Sequence, residues 1–369
     1  MASRSDLKAL TRGPIPMARN TYLHFYNGGK LRADFVGDPA TEDDFYSEEW
    51  FFSTNRAITP GRENPPDKGF SKITLPSGQT TVITELLEAF PEEVMGKAHV
   101  AKYGTKLGLL VKLFDVGDGA HIPVHWHPSP EFSQKHLNDP YGKNESWIVM
   151  GTRPGAKCWI GFKEDVGEMA FRKWMDAQDV ETMRSHMYEY EPKVGDVIYI
   201  RPGIVHSLGS GCCILEPQEP SDWNILAEWE GYPYGKEDAH LGLGWDLALS
   251  AAEFTKTDED YLDNYIKRAP RVHREEGDNR EIEFLPEETR TFFWESRFEV
   301  SSRLSAPKTD GYFGIVGTRG QGLLKGDFGE VEIRRGLGVL VPAIVDGFDF
   351  VNTGNQRLEG FCCFPPATG

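Results

Sequence analysis

The chain has 369 residues, with 57 Asp and Glu against 40 Lys and Arg and a formal charge of −17 at pH 7. At roughly 150 residues per domain this length suits two or three domains, so more than one core is expected. Binding a phosphate backbone takes clustered Lys and Arg, and here the basic residues are scattered among acids, which argues against nucleic acid; a small anionic substrate is still allowed, because a pocket can be locally positive on a negative surface.

The start, MASRSDLKALTRG, has no apolar leader core, and the longest apolar runs, such as LGLLVKLF (107–114), stop well short of a membrane span. A cytoplasmic protein with no membrane partner is expected. Cys158, Cys212, Cys213, Cys362 and Cys363 lack the C-x-x-C spacing of a zinc knuckle and read as small buried hydrophobes in a reducing compartment.

From Thr21 to Gly96, short apolar stretches alternate with turn residues, as in NGGK (27–30) and LPSGQT (75–80), which predicts short strands, and LLEAFPEEVMG (86–96) reads as a short helix. Between Leu107 and Ser221 the strand signals are denser: LGLLVKLFDV, AHIPVHWH, ESWIVMGT, AKCWIGF, DVIYIRPG and CCILEPQ. Repeated short strands at this spacing favour an all-β barrel or sandwich. An insertion from Glu168 to Met187 carries helical spacing.

Downstream, Trp245, Ala248, Leu249 and Ala252, and then Leu262, Tyr265, Ile266 and Ala269 after a candidate N-cap at Thr257, recur at helical spacing and predict two helices with packing faces. After a charged linker, HREEGDNREIE (273–283), strands return up to RLEGFCCF and suggest a second β-barrel without any histidine. GTRGQG (317–322) lies between two strands and reads as a hairpin turn, not a phosphate loop. The expected division is an N-terminal metal-binding domain over 1–235, a helical segment and linker over 236–283, and a C-terminal β domain over 284–369.

The chemistry concentrates in the first barrel. Strand alternation in AHIPVHWHP puts His121, His125 and His127 on one face, so two imidazoles two residues apart can reach one ion. Gly119 followed after five residues by His125-x-His127, and Gly195 followed after five residues by Arg201-Pro202-Gly203-Ile204-Val205-His206, resemble the two cupin motifs, with Arg201 where proline is usual. In that fold the two motifs meet on neighbouring strands and three imidazoles converge. A divalent ion taking nitrogen and oxygen would also use a carboxylate, for which Glu131 and Glu145 are both candidates.

HWHPSPEF, GKNESWIV and RPGIVHSLGSGCCILEPQEPSD, in that order, resemble class I mannose-6-phosphate isomerases, whose pattern reads QxHPxxE, GKxExW and PxGxxHxxGxGxxxxExQxxSD. SEEW (47–50), NGGK, DAHLGLGWDLAL and the late LVPA extend the likeness over most of the chain. The resemblance implies a mainly β fold of two tandem double-stranded β-helix (cupin) barrels. It also implies one divalent metal ion, zinc first, held by His125, His127, Glu145 and His206, with Glu131 outside the ligand set. His125 replaces the family's glutamine.

The activity implied is interconversion of mannose 6-phosphate and fructose 6-phosphate, or of a related sugar, through a cis-enediol. Lys143 would stabilise an oxyanion or shuttle a proton, and Glu216 would be the general acid/base. Arg201 would either meet substrate at the barrel mouth or pair with a surface acid. The family's SDxTxR becomes Ser221-Asp222-Trp223-Asn224-Ile225-Leu226, so Leu226 stands where an arginine is used. Arg201, Lys143 and Lys236 are candidate replacements for its charge. The partner is then a sugar or sugar phosphate, and the competing readings are a cupin oxygenase or decarboxylase and a non-catalytic sugar-binding cupin; nothing in the chain fixes the oligomeric state.

Overall fold

The computed structural model describes residues 2–39 and 42–368. Its framework is four antiparallel sheets arranged as two barrels, with a fifth small hairpin beside them.

The first barrel pairs a six-stranded sheet with a five-stranded one. In the six-stranded sheet the order is Val197–Ile200, Glu145–Thr152, Cys212–Gln218, Leu110–Asp115, Glu48–Phe51 and Thr21–Tyr22; in the other it is Met187–Tyr190, Cys158–Phe162, His206–Leu208, His125–Trp126 and Ile225–Leu226. Between Leu110 and Leu226 the chain passes back and forth between the two sheets, with only Cys158–Phe162 and Met187–Tyr190 following each other in the same one. This crossing is the double-stranded β-helix expected from the sequence. It brings His206 directly opposite His125 in an antiparallel pair.

Side-chain alternation divides the six-stranded sheet into two apolar faces. Phe114, Trp147, Ile198 and Ile214 point into the first barrel with Ile160 and Leu208. Val111, Leu113, Ile148 and Leu215 point the other way, into a core shared with Val316, Leu340 and Phe361 of the second barrel. Both faces being covered explains why Leu110–Asp115 is buried along its whole length and is apolar apart from Lys112 and Asp115.

The second barrel has a seven-stranded sheet running from Ile15–Pro16 at one edge to Arg271–Glu276 at the other, and a four-stranded sheet of Arg303–Ser305, Asp349–Asn352, Gln321–Gly326 and Gly329–Arg334. Its interior is filled: Phe298 stacks on Phe350 and Phe313 on Phe364. The charged stretch expected to be a linker is instead the hairpin Arg271–Glu276 and Asn279–Glu283. It continues this sheet as an edge whose exposed charges keep it from pairing further. GTRGQG joins Phe313–Arg319 to Gln321–Gly326, which lie in different sheets, so it is a corner between layers and not a hairpin turn.

The helices match the expected places with differences at their ends. The 86–96 helix is two, Ile83–Ala89 and Pro91–Met95, and the 168–187 insertion is Glu168–Asp176 and Val180–Ser185. Trp245–Leu249 is short, and the next helical segment starts at Glu259 and closes as a π-turn, Leu262–Ile266. Its N-cap is Asp258, which accepts from Asp260 N at 2.8 Å; the Thr257 hydroxyl is taken by Phe162 N at 2.9 Å. Helices Arg4–Leu10, Lys30–Val36, Lys97–Tyr103 and Pro130–His136 were not expected. No helix among the described residues is long and apolar enough to cross a membrane, and all five cysteines are buried and unpaired.

Candidate active site and metal centre

His125 opens the short strand His125–Trp126, His127 follows directly after it and His206 comes from the neighbouring strand; their ring nitrogens lie within 4.8 Å of one another, all buried. Glu145 opens the strand on the facing sheet and reaches across the barrel: Oε2 is 3.3 Å from His127 Nε2, and Oε1 is 3.3 Å from His206 Nε2. The orientation of the rings is fixed from behind. His125 Nδ1 bonds to Pro123 O at 2.7 Å, His206 Nδ1 to Ile204 O at 2.8 Å and His127 Nδ1 to Trp223 O at 3.0 Å. A carbonyl oxygen only accepts, so each Nδ1 carries the hydrogen and each Nε2 keeps a lone pair.

Burial pushes the His125 imidazole well below its ordinary range and that of His127 down to about 3, in both cases helped by neighbouring positive charge. Burial alone would raise Glu145; Lys143 and then His127 more than offset it, and its carboxylate is held well below the usual range. Neutral imidazoles beside an ionised carboxylate are the protonation states that metal coordination needs. Glu145 Oε2 and His206 Nε2 are buried without a hydrogen-bond partner, a state that is expensive unless a cation takes up the lone pairs. These four residues therefore fit a divalent ion of the nitrogen- and oxygen-preferring kind.

Two other candidates fall outside. Glu131 is exposed in the first turn of helix Pro130–His136. His121 diverges from the strand face it was expected to share and pairs with Glu228 at 2.6 Å.

Lys143 Nζ lies 2.8 Å from Glu145 Oε2, though outside hydrogen-bonding geometry, and 3.3 Å from His127 Nε2, and it donates to Asn224 Oδ1 at 3.2 Å. Glu216 is on the next strand with its Oε1 3.9 Å from Lys143 Nζ. Burial, and then the negative charge of Glu145, push its carboxyl up to about 8. Both line one cavity of about 750 Å³ together with His125 and Glu145.

Arg201, expected among the catalytic residues, does not line this cavity. Its guanidinium is engaged by both carboxylate oxygens of Glu253 and stacks on Tyr261. Pairing with an acid thus prevails, because Glu253 is brought beside Gly203 by a backbone bond of 2.9 Å. Lys236 is likewise outside the cavity, paired with Asp176 at 2.7 Å on the surface. Leu226 lies where expected, on the cavity wall and paired with His125 across the strands.

Several wall residues had no individual role in the sequence reading. Lys112, inside an apolar run, projects into the cavity and pairs with Asp222 at 2.8 Å over the face of Trp50. Glu48 accepts from Tyr26 OH at 2.7 Å and Trp50 Nε1 at 2.6 Å and lies 3.3 Å from His24. A lone lysine in a strand buried on both faces was the available signal, since an ammonium there must meet a carboxylate or a ligand.

The chain is 22% identical over 342 residues to the mannose-6-phosphate isomerase of Streptococcus mutans, a match covering 91% of this chain and 95% of that one. It is 28% identical over 171 residues to the mannose-6-phosphate isomerase ManA of Bacillus subtilis, covering 44% of this chain and half of that relative's length. The chain is a divergent relative of the mannose-6-phosphate isomerases. Among solved structures, mannose 6-phosphate isomerase from Bacillus subtilis superposes with a TM-score of 0.71 at 18% identity, covering 95% of this chain and 99% of that one. A variant of phosphomannose isomerase from Salmonella typhimurium gives 0.70 at 13% identity, covering 96% and 100%. At such identities these structures establish a shared fold. No family model matches the chain.

Proposed function

We propose that the protein is a metal-dependent aldose–ketose isomerase that interconverts mannose 6-phosphate and fructose 6-phosphate, or a related sugar pair, with one divalent ion, zinc first, held by His125, His127, Glu145 and His206. The observation that carries this reading is the position of Glu216. A buried carboxyl with its proton affinity raised to about 8 stands beside Lys143 at the edge of a four-ligand cluster, inside a cavity of sugar size.

A divalent ion held by His125, His127, Glu145 and His206 would supply positive charge to stabilise negative charge developing on sugar oxygens. The remaining work falls to side chains. Moving a proton between adjacent carbons of an aldose through a cis-enediol takes one group that can both accept and return it. A carboxyl whose affinity lies near working pH does this best. A divalent ion on the neighbouring ligands would lower the Glu216 value of about 8. Lys143, held between Glu145 and Glu216, can donate to an enediolate oxygen. Trp147, Phe114, Leu208 and Ile122 line the same cavity and keep water away from the reactive intermediate.

The test is an aldose–ketose assay on protein of measured metal content, with mannose 6-phosphate and mannose as substrates. Ketose formation that disappears on chelation and returns with zinc supports the reading; full metal occupancy without turnover of either sugar contradicts it. Three imidazoles and a carboxylate also suit iron or manganese, so oxygen consumption by the loaded protein would instead favour a cupin oxygenase.

A further inference from the structure

The cavity is poor in available positive charge. Each lysine on its wall already has a carboxylate: Lys112 is paired with Asp222 at 2.8 Å, Lys143 with Glu145 at 2.8 Å and Lys106 with Asp139 at 3.6 Å. Lys112 and Lys143 are themselves buried, so a phosphate could recruit either only by drawing it away from its carboxylate, the half-buried Asp222 or the buried Glu145. Arg56 is the remaining lysine or arginine on the wall, and it is exposed. The wall also carries two further acids, Glu237 and Asp238, which add negative charge unfavourable to a dianion. Opposite His125 the wall offers Leu226, which has neither charge nor a donor.

What the wall offers instead suits a polyol. Trp50, Trp147, Trp223, Tyr26 and Tyr234 present aromatic surface to the cavity, which packs against the C–H faces of a sugar ring. Trp223 Nε1 and Thr54 Oγ1 are buried without a hydrogen-bond partner and line the same space. Sugar hydroxyls satisfy such groups, since each both donates and accepts.

The geometry points to an uncharged sugar, a free aldose and its ketose, as the ligand of this cavity, in preference to the corresponding phosphate ester. This inference rests on the isomerase reading for the reaction but not for the binding preference. A phosphate ester in the cavity has only the solvent-screened guanidinium of exposed Arg56 for a charge-assisted contact and meets like charge, a handicap of roughly ten- to a hundredfold in affinity.

Calorimetric titration of the zinc-loaded full chain with mannose, fructose and their 6-phosphates tests it, alongside kcat/KM for each. The expected result is a Kd for the free sugar at least about tenfold below that for its ester. Leu226→Arg, which adds a guanidinium beside His125, is expected to narrow or reverse that ratio. An ester bound as tightly as the free sugar or more tightly in the wild type overturns the inference, as does failure of both free sugars to bind. Free-sugar binding without turnover leaves the inference standing and removes the isomerase reading. Efficient turnover with a preference for the ester does the reverse.

Discussion

Glu145 Oε1 lies 3.3 Å from His206 Nε2, although the two residues come from different sheets. That distance supports the proposed ligand set across the barrel, with Glu145 and not Glu131 as its carboxylate. Glu145→Ala and His206→Ala are expected to lose metal by more than the ~10- to 100-fold that follows removal of an outer-shell partner, while Glu131→Ala retains it. Elemental analysis of folded protein checks this. Equal loss in Glu131→Ala and Glu145→Ala would remove the basis for choosing between them.

Lys143 and Glu216 face the cavity beside the ligands. In Glu216→Gln and Lys143→Ala, turnover is expected to fall by roughly a hundred- to ten-thousandfold, the range for positioned acid/base groups, with metal content in Glu216→Gln unchanged. Steady-state kinetics on protein of known metal content reads this. Wild-type rates in both variants would move the chemistry elsewhere.

The same carboxyl sets a pH dependence. Proton abstraction needs Glu216 as carboxylate, and its affinity is raised to about 8 by burial and then by Glu145. The expected kcat/KM therefore rises with pH through an apparent pKa above the ordinary carboxylate value and at or below about 8. A profile flat from pH 5 to 8 would contradict Glu216 as the base.

Glu295 gives a stability prediction independent of the site. It is buried where the second barrel meets the first, accepts from Ser146 Oγ at 2.7 Å, and is pushed up to about 8 by burial. Its folded pKa is above the unfolded value near 4.5. From about pH 4.5 to 8 the unfolded chain therefore releases a proton that the folded chain keeps, and stability falls as pH rises, at up to about 1.4 kcal/mol per pH unit. Glu295→Gln is expected to flatten this part of the pH–stability curve and to be more stable than wild type at pH 8. Denaturant unfolding across that range, with an unchanged wild-type slope in the variant, would contradict it.

The strands and the H-x-H pair were legible in the sequence because their signals are local, whereas the preference for Glu145 over Glu131 came from the family resemblance. What escaped depends on distant partners. Helix Lys30–Val36 opens on Gly29 at a φ of 114° and is capped by Asp115, which accepts from Gly29 N, Leu31 N and Arg32 N. With Arg32, Ala33, Phe35 and Val36 buried, only Lys30 and Asp34 remain as a polar stripe, too short to mark a helix. The hairpin at 271–283 was read as a linker because its outer strand is exposed on both faces and carries charge in place of alternation. Arg201 was open to a substrate role because Glu253, its partner, belongs to a segment that only the fold brings near. Lys112 was hidden in its apolar run, and its partner Asp222 had been read only as part of a family motif.

The most direct test of the central claim is isomerisation in D2O followed by NMR, using zinc-loaded wild type and zinc-loaded Glu216→Gln with mannose and mannose 6-phosphate. The account predicts that wild type converts aldose to ketose and places deuterium on the carbons that exchange a proton through the enediol. It further predicts that chelation stops both processes and that Glu216→Gln keeps its metal but neither converts nor labels the sugar. Fully zinc-loaded wild type that leaves both sugars unconverted and unlabelled, or Glu216→Gln that labels them at the wild-type rate, would contradict it.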